Sequence, residues 1–130
     1  MSRPVEFLDL DDVVTLARRL LGDPPPIRDA GLLGSAVARP QTTVGTDDAY
    51  PTVWMPAAAL LQSIVANHAL LDGHQRLGWL APAVFLEINE ASVATAAVDD
   101  VYDLVLGVAS ATSSIEEIAE RLEQFNAPRH

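Results

Sequence analysis

Residues 56–89 read PAAALLQSIVANHALLDGHQRLGWLAPAVFLEIN, two apolar runs broken by one polar turn. The first run, residues 56–67, is apolar on nearly every face, and Pro56 suits a first helical position because its missing N–H has no partner to lose there. The second, residues 76–89, is also largely apolar. Helices without a wet face belong in the middle of a core. The segment 68–75 interrupts them with Asp72-Gly73, a turn pair. The fold class that follows is all-α, with two central helices flanking one short loop.

The flanking sequence agrees. Residues 9–21, DLDDVVTLARRLL, predict a helix capped by Asp9 and closed by Gly22. Leu10, Val13, Val14, Ala17, Leu20 and Leu21 form its apolar stripe. Asp23-Pro24-Pro25-Pro26 stops it. A short helix is expected over 29–38, ended by Arg39-Pro40, then a long loop over 40–55. Further helices are expected over 98–109, opened by Asp99 and Asp100, and over 114–125, where Ser114 and Glu117 have capping-box spacing. Residues 91–97, ASVATAA, read as a short extended piece. The sum is a bundle of five to six helices in a single domain spanning 1–130, with 1–8 and 126–130 expected to fray.

Composition narrows the function. The chain has 130 residues, enough to bury a core without staples, and no cysteine, which excludes disulfides and thiolate metal sites. Its formal net charge is −10, which disfavours direct binding to a nucleic-acid backbone. Every basic side chain is arginine, so neither a Walker lysine nor a Schiff-base lysine exists. Met1–Glu6 carries no apolar run of the signal-peptide kind, and the longest uncharged stretch, 49–71, is too polar for a membrane span. A cytoplasmic location is expected.

The loop from His68 to Arg76 concentrates chemistry. An imidazole titrates near neutral pH and suits a general base, which His68 would supply. Asp72 is an oxygen ligand of the kind Mg²⁺ accepts beside phosphate oxygens. Gly73 can adopt positive φ and turn successive N–H groups into an anion nest. The next helix starts near His74–Arg76 and aims its free N–H groups at the same place, and Arg76 adds a forked cation. Each has a plain structural reading: a histidine near a helix end, a turn pair, a solvated charge. Their combination within nine residues is the parts list for moving a phosphate-containing group from a nucleotide to a hydroxyl. A metal hydrolase using His68, Asp72 and His74 is a weaker alternative, because the only other histidine is His130 at the chain end.

The segment Asn67-His68-Ala69-Leu70-Leu71-Asp72-Gly73-His74-Gln75-Arg76 resembles the Fic/Doc motif, His-x-Phe-x-Asp-Gly-Asn-Lys-Arg in its Doc form. Arg28–Leu33, Ala38–Gln41, Asp48–Pro51, Ala57–Leu61 and Tyr102–Leu106 are similar to Doc-type sequence as well, so the resemblance spans roughly residues 5 to 122. It implies a Doc-type toxin of a toxin–antitoxin pair that moves a phosphate or nucleotidyl group from ATP, or another nucleotide, with Mg²⁺, to a hydroxyl of a translation elongation factor. By resemblance, His68 is the base, Asp72 serves the metal and the loop, Gly73, His74, Gln75 and Arg76 cradle phosphates, and loop 40–55 is the flap that aligns the target. The implied partner is an antitoxin of the Phd type whose tail folds onto the toxin.

Three motif positions depart from the pattern. Leu70 replaces phenylalanine, His74 replaces the phosphate-binding asparagine, and Gln75 replaces lysine; Trp79 stands where Fic adenylyltransferases often carry a second arginine. Losing one charge-assisted hydrogen bond costs about 1.5–3 kcal/mol, roughly 10- to 100-fold in binding. The second reading is therefore a catalytically weakened or inactive Doc-fold protein that acts as an antitoxin- or partner-binding module.

Overall fold

In the computed structural model, which describes residues 4–43, 52–110 and 112–126, helix α3 (Trp54–Ala66) is the axis around which the rest is laid. Pro56 through Leu61, Ser63, Ile64 and Val65 are all buried, as a helix apolar on every side requires. It packs against α2 (Ala30–Ala38), the 3₁₀ turn Arg39–Thr43, α4 (His74–Ile88), α5 (Val98–Ala109) and α6 (Ile115–Phe125). Helix α1 (Leu10–Leu21) lies against α4 and α2. Among the described residues there are six α-helices and no strand beyond one isolated bridge, so the protein is an all-helical bundle.

Local chemistry explains most boundaries. Asp9 caps α1 in a reciprocal capping box with Asp12, and Gly22 ends the helix at φ 118°. Asp29 caps α2 by accepting from Leu32 N–H. Ser114 and Glu117 form the second capping box, at α6. Helix α3 begins two residues earlier than Pro56 suggests, and Pro56 sits at the third position. That costs little, because N–H groups of the first turn lack intrahelical partners. Likewise α4 begins at His74 rather than at Arg76.

The extended piece expected over 91–97 is not formed. Ala96 N–H donates to Val93 carbonyl at 3.1 Å in a turn, while Ser92 is held by Asn126 and Glu87. With no neighbouring strand, the run satisfies its backbone through turns and side chains. The fraying expected at the N-terminus does not reach Phe7 or Leu8. Phe7 stacks on Phe85 with ring centroids 5.9 Å apart, Leu8 is buried, and Glu6 exchanges hydrogen bonds with the Asn89 side chain. No helix among the described residues is long and apolar enough to cross a membrane.

The approach of α3 to α4 sets the width of the core beneath the loop. Gly78 faces Val65 so closely that an added Cβ would lie 2.5 Å from Val65 Cγ2. The two central helices therefore emerge side by side, and the loop joining them is short.

Candidate active site

Helix α3 ends at Ala66 with Asn67 as its C-cap, and the next residue, His68, takes the left-handed conformation at φ 55°. For a residue with a Cβ this costs about 1–2 kcal/mol, so surrounding contacts must hold it. The chain then dips into the core: Ala69 and Leu70 are buried, whereas Leu71 is 70% exposed. Leu70 thus occupies the interior, as an apolar replacement for the motif phenylalanine should. Asp72 is exposed, and its Oδ1 accepts from Gly73 N–H at 2.8 Å. Gly73 is the N-cap of α4 at φ 80° and supplies no side-chain cap. The N–H groups of the first turn are therefore left without a side-chain acceptor, as an anion site requires.

A strap from the far side of the sequence holds this loop. Residues 26–29, between α1 and α2, pair with residues 69–71. Leu71 N–H donates to Pro26 carbonyl at 2.8 Å, and Arg28 and Asp29 N–H groups both donate to Ala69 carbonyl, at 2.8 and 3.0 Å. Ile27 and Leu70 form an isolated antiparallel bridge. The Arg28 guanidinium donates to the His68 carbonyl. Asn67 adds a second tie, donating from Nδ2 to Leu32 carbonyl at 2.7 Å and accepting from Ala69 N–H at 3.2 Å. Nothing in the spacing of the motif points to the strap. Asn67 does carry a local signal, since asparagine is favoured at helix C-termini.

His74 and His68 meet edge to face, with ring centroids 5.8 Å apart. The Nδ1 of His74 is buried and has no protein partner. Such an atom is costly to leave unmatched, and it lies beside the open helix N-terminus. Gln75 and Arg76 are exposed on the first turn of α4 and border an apolar groove of about 460 Å³ that also involves Leu20, Trp79 and Tyr102. Arg76 is the cation on the first turn of α4; the strap contributes Arg28 to the loop backbone. The loop expected over 40–55 is shorter at both ends: residues up to Thr43 belong to the 3₁₀ turn, where Pro40 is buried and the preceding Arg39 donates to Ser63 Oγ at 3.2 Å, and Trp54 already belongs to α3; residues 44–51, including Asp48–Pro51, lie outside the described residues.

No group of three or more His, Asp or Glu side chains among the described residues is placed to hold a metal ion, and His130 lies outside them. This weighs against the three-ligand hydrolase reading. It is compatible with Mg²⁺ held in the usual nucleotide-site manner, by one carboxylate, here Asp72, together with phosphate oxygens and water.

The sequence has known relatives. The family model described as the Fic/DOC family matches residues 7–86, from the segment before α1 to the last turns of α4. A protein named Toxin Doc from Mycolicibacterium smegmatis (strain ATCC 700084 / mc(2)155) is 46% identical over 123 residues, covering 94% of this chain and 95% of its own length. A helical bundle, a motif loop between its two central helices, a family match over more than half the chain and close identity to a Doc protein all agree: this chain belongs to the Fic/DOC family.

Proposed function

We propose that this protein is a Doc-type toxin that transfers the terminal phosphate of ATP to a hydroxyl of a translation elongation factor and is neutralised by an antitoxin of the Phd type. Family membership supports a transferase that uses a nucleotide. The observation that carries the site is the uncapped N-terminus of α4, opened by left-handed Gly73 and flanked by the His68–His74 pair at 5.8 Å.

In this reading, first-turn N–H groups and Arg76 bind the phosphates, and His74 donates where the family uses asparagine. His68 removes the proton from the target hydroxyl as its oxygen bonds to the γ-phosphorus. The bond from γ-phosphorus to the bridging oxygen breaks, and ADP leaves. Mg²⁺ bound by Asp72 and the phosphates would neutralise charge there. Purified protein incubated with elongation factor should label it from γ-labelled ATP, and His68→Ala should abolish the label. Label from the α-position instead would mean nucleotidyl transfer. Equal background from wild type and His68→Ala rules the reaction out.

The second reading, a partner-binding module with decayed chemistry, is favoured by the single phosphate-side cation and by the groove. The groove lies between α1, α4 and α5, and Tyr102, 62% exposed, stands on its rim. An amphipathic antitoxin tail fits such a seat. This reading expects a stable complex with the product of the adjacent gene and no thermal shift with ATP and Mg²⁺. A clear shift counts against it.

A further inference from the structure

We infer that Arg28 is a positioning residue for His68, acting through the backbone of the loop; this rests on the reading of His68 as the base. Arg28 grips two successive carbonyls of the loop. Its guanidinium donates to the His68 carbonyl and its backbone N–H to the Ala69 carbonyl at 2.8 Å. The carbonyl it holds belongs to the residue in the left-handed conformation. Downstream, Ala69 and Leu70 are buried, so packing fixes the chain that follows this peptide. The peptide unit between these anchors sets the direction of the His68 Cα–Cβ bond, and therefore where the imidazole stands.

The backbone ties alone do not specify this. The Arg28 and Asp29 N–H groups fix the Ala69 carbonyl, Leu71 N–H is fixed by Pro26, and Asn67 Oδ1 accepts from Ala69 N–H at 3.2 Å on one edge of the peptide after His68, while the carbonyl edge of that peptide is held by the guanidinium. Water can satisfy a carbonyl, but it does not oppose rotation of the peptide plane as a donor tethered to the strap does. Relaxation of His68 toward an ordinary φ would swing the ring away from its station beside His74. A base displaced by a fraction of an ångström keeps substrate binding and loses rate. The strap thus does more than stiffen the fold: it presents a strained histidine in one orientation.

The test uses the full chain, ATP with Mg²⁺ and purified elongation factor. Arg28→Ala should lower kcat by about tenfold with KM for ATP unchanged, as expected of a misplaced base rather than a damaged nucleotide site. Arg28→Lys, which keeps a cationic donor, should recover most of the loss. In parallel, the carbonyl ¹³C resonance of His68 should move in Arg28→Ala and return toward its wild-type position in Arg28→Lys. A kcat that falls only with the folded fraction, or that stays at the wild-type value, overturns the inference. If wild type transfers nothing, the proposed function fails separately. The carbonyl resonance then decides the structural claim, and an unmoved resonance in Arg28→Ala overturns it.

Discussion

Leu21, the last residue of α1, lies directly against Gly73, the first cap of α4: a Cβ on Gly73 would come 2.4 Å from Leu21 Cδ2 and 2.8 Å from Cδ1. The end of one helix forms the floor beneath the nest that opens another. Gly73 is thus required for its φ of 80°, and any Cβ there would in addition have to push the Leu21 side chain aside. Gly73→Ala should destabilise the protein by about 1–3 kcal/mol through overpacking and strain. Urea denaturation measures the loss. Adding Leu21→Ala should relieve the steric part, so the double variant falls short of the sum of the singles.

Gln75 is exposed on the first turn of α4, where the Doc pattern carries a lysine. Gln75→Lys should strengthen ATP–Mg²⁺ binding by roughly 10-fold or more, since a charge-assisted contact to phosphate is worth about 1.5–3 kcal/mol. Isothermal titration calorimetry reads this directly. Unchanged affinity would show that the triphosphate does not lie along this turn.

Gly78 sits at the crossing of the two central helices, with Val65 Cγ2 2.5 Å from where a Cβ would be. In a free helix, alanine would gain about 1 kcal/mol over glycine. Here Gly78→Ala should instead destabilise by about 1–3 kcal/mol, because Val65 is β-branched and buried and cannot swing aside. A thermal melt compared with Val65→Ala and the double variant isolates the coupling.

The capping box of α6 makes stability depend on pH. Backbone and side-chain hydrogen bonds from Ser114 hold the Glu117 carboxyl below its ordinary range. A folded-state pKa below the unfolded value means the stabilisation is fully present above the unfolded pKa and fades as pH falls through the folded one. Ser114→Ala keeps the backbone N–H that lowers the Glu117 pKa most and removes the hydroxyl, so it should raise that pKa only part of the way toward the ordinary carboxylate value and lower the melting temperature at neutral pH, with the difference shrinking in acid. Carbon-detected NMR titration of Glu117 and melts at the two pH values check both halves.

Much of the fold was legible because its signals are local. Asp9 with Asp12, Ser114 with Glu117, and Gly22 are cap chemistry read across three or four residues. The all-round apolar character of 56–67 is enough to place α3 at the centre, where Pro56 through Leu61 are buried. The expectation for 91–97 failed because alternating small residues resemble a strand only when a partner strand exists, and none lies beside them.

By itself the sequence determined the helices, the caps of α1 and α6, the polar break between two buried helices and the order of residues from His68 to Arg76 on which the proposed site rests. Those features depend on spacings of one to four positions, and the 3.6-residue turn converts such spacings into faces and ends. Only the tertiary structure decided how the loop is held: Arg28 on the carbonyl of His68, 40 positions away, Ile27 bridged to Leu70, and Leu21 under Gly73. Contacts at such separation depend on how the whole chain packs, and no local periodicity records them. The left-handed turn at His68 is strained when taken alone, and the packed strap and core are what make it the state the chain adopts.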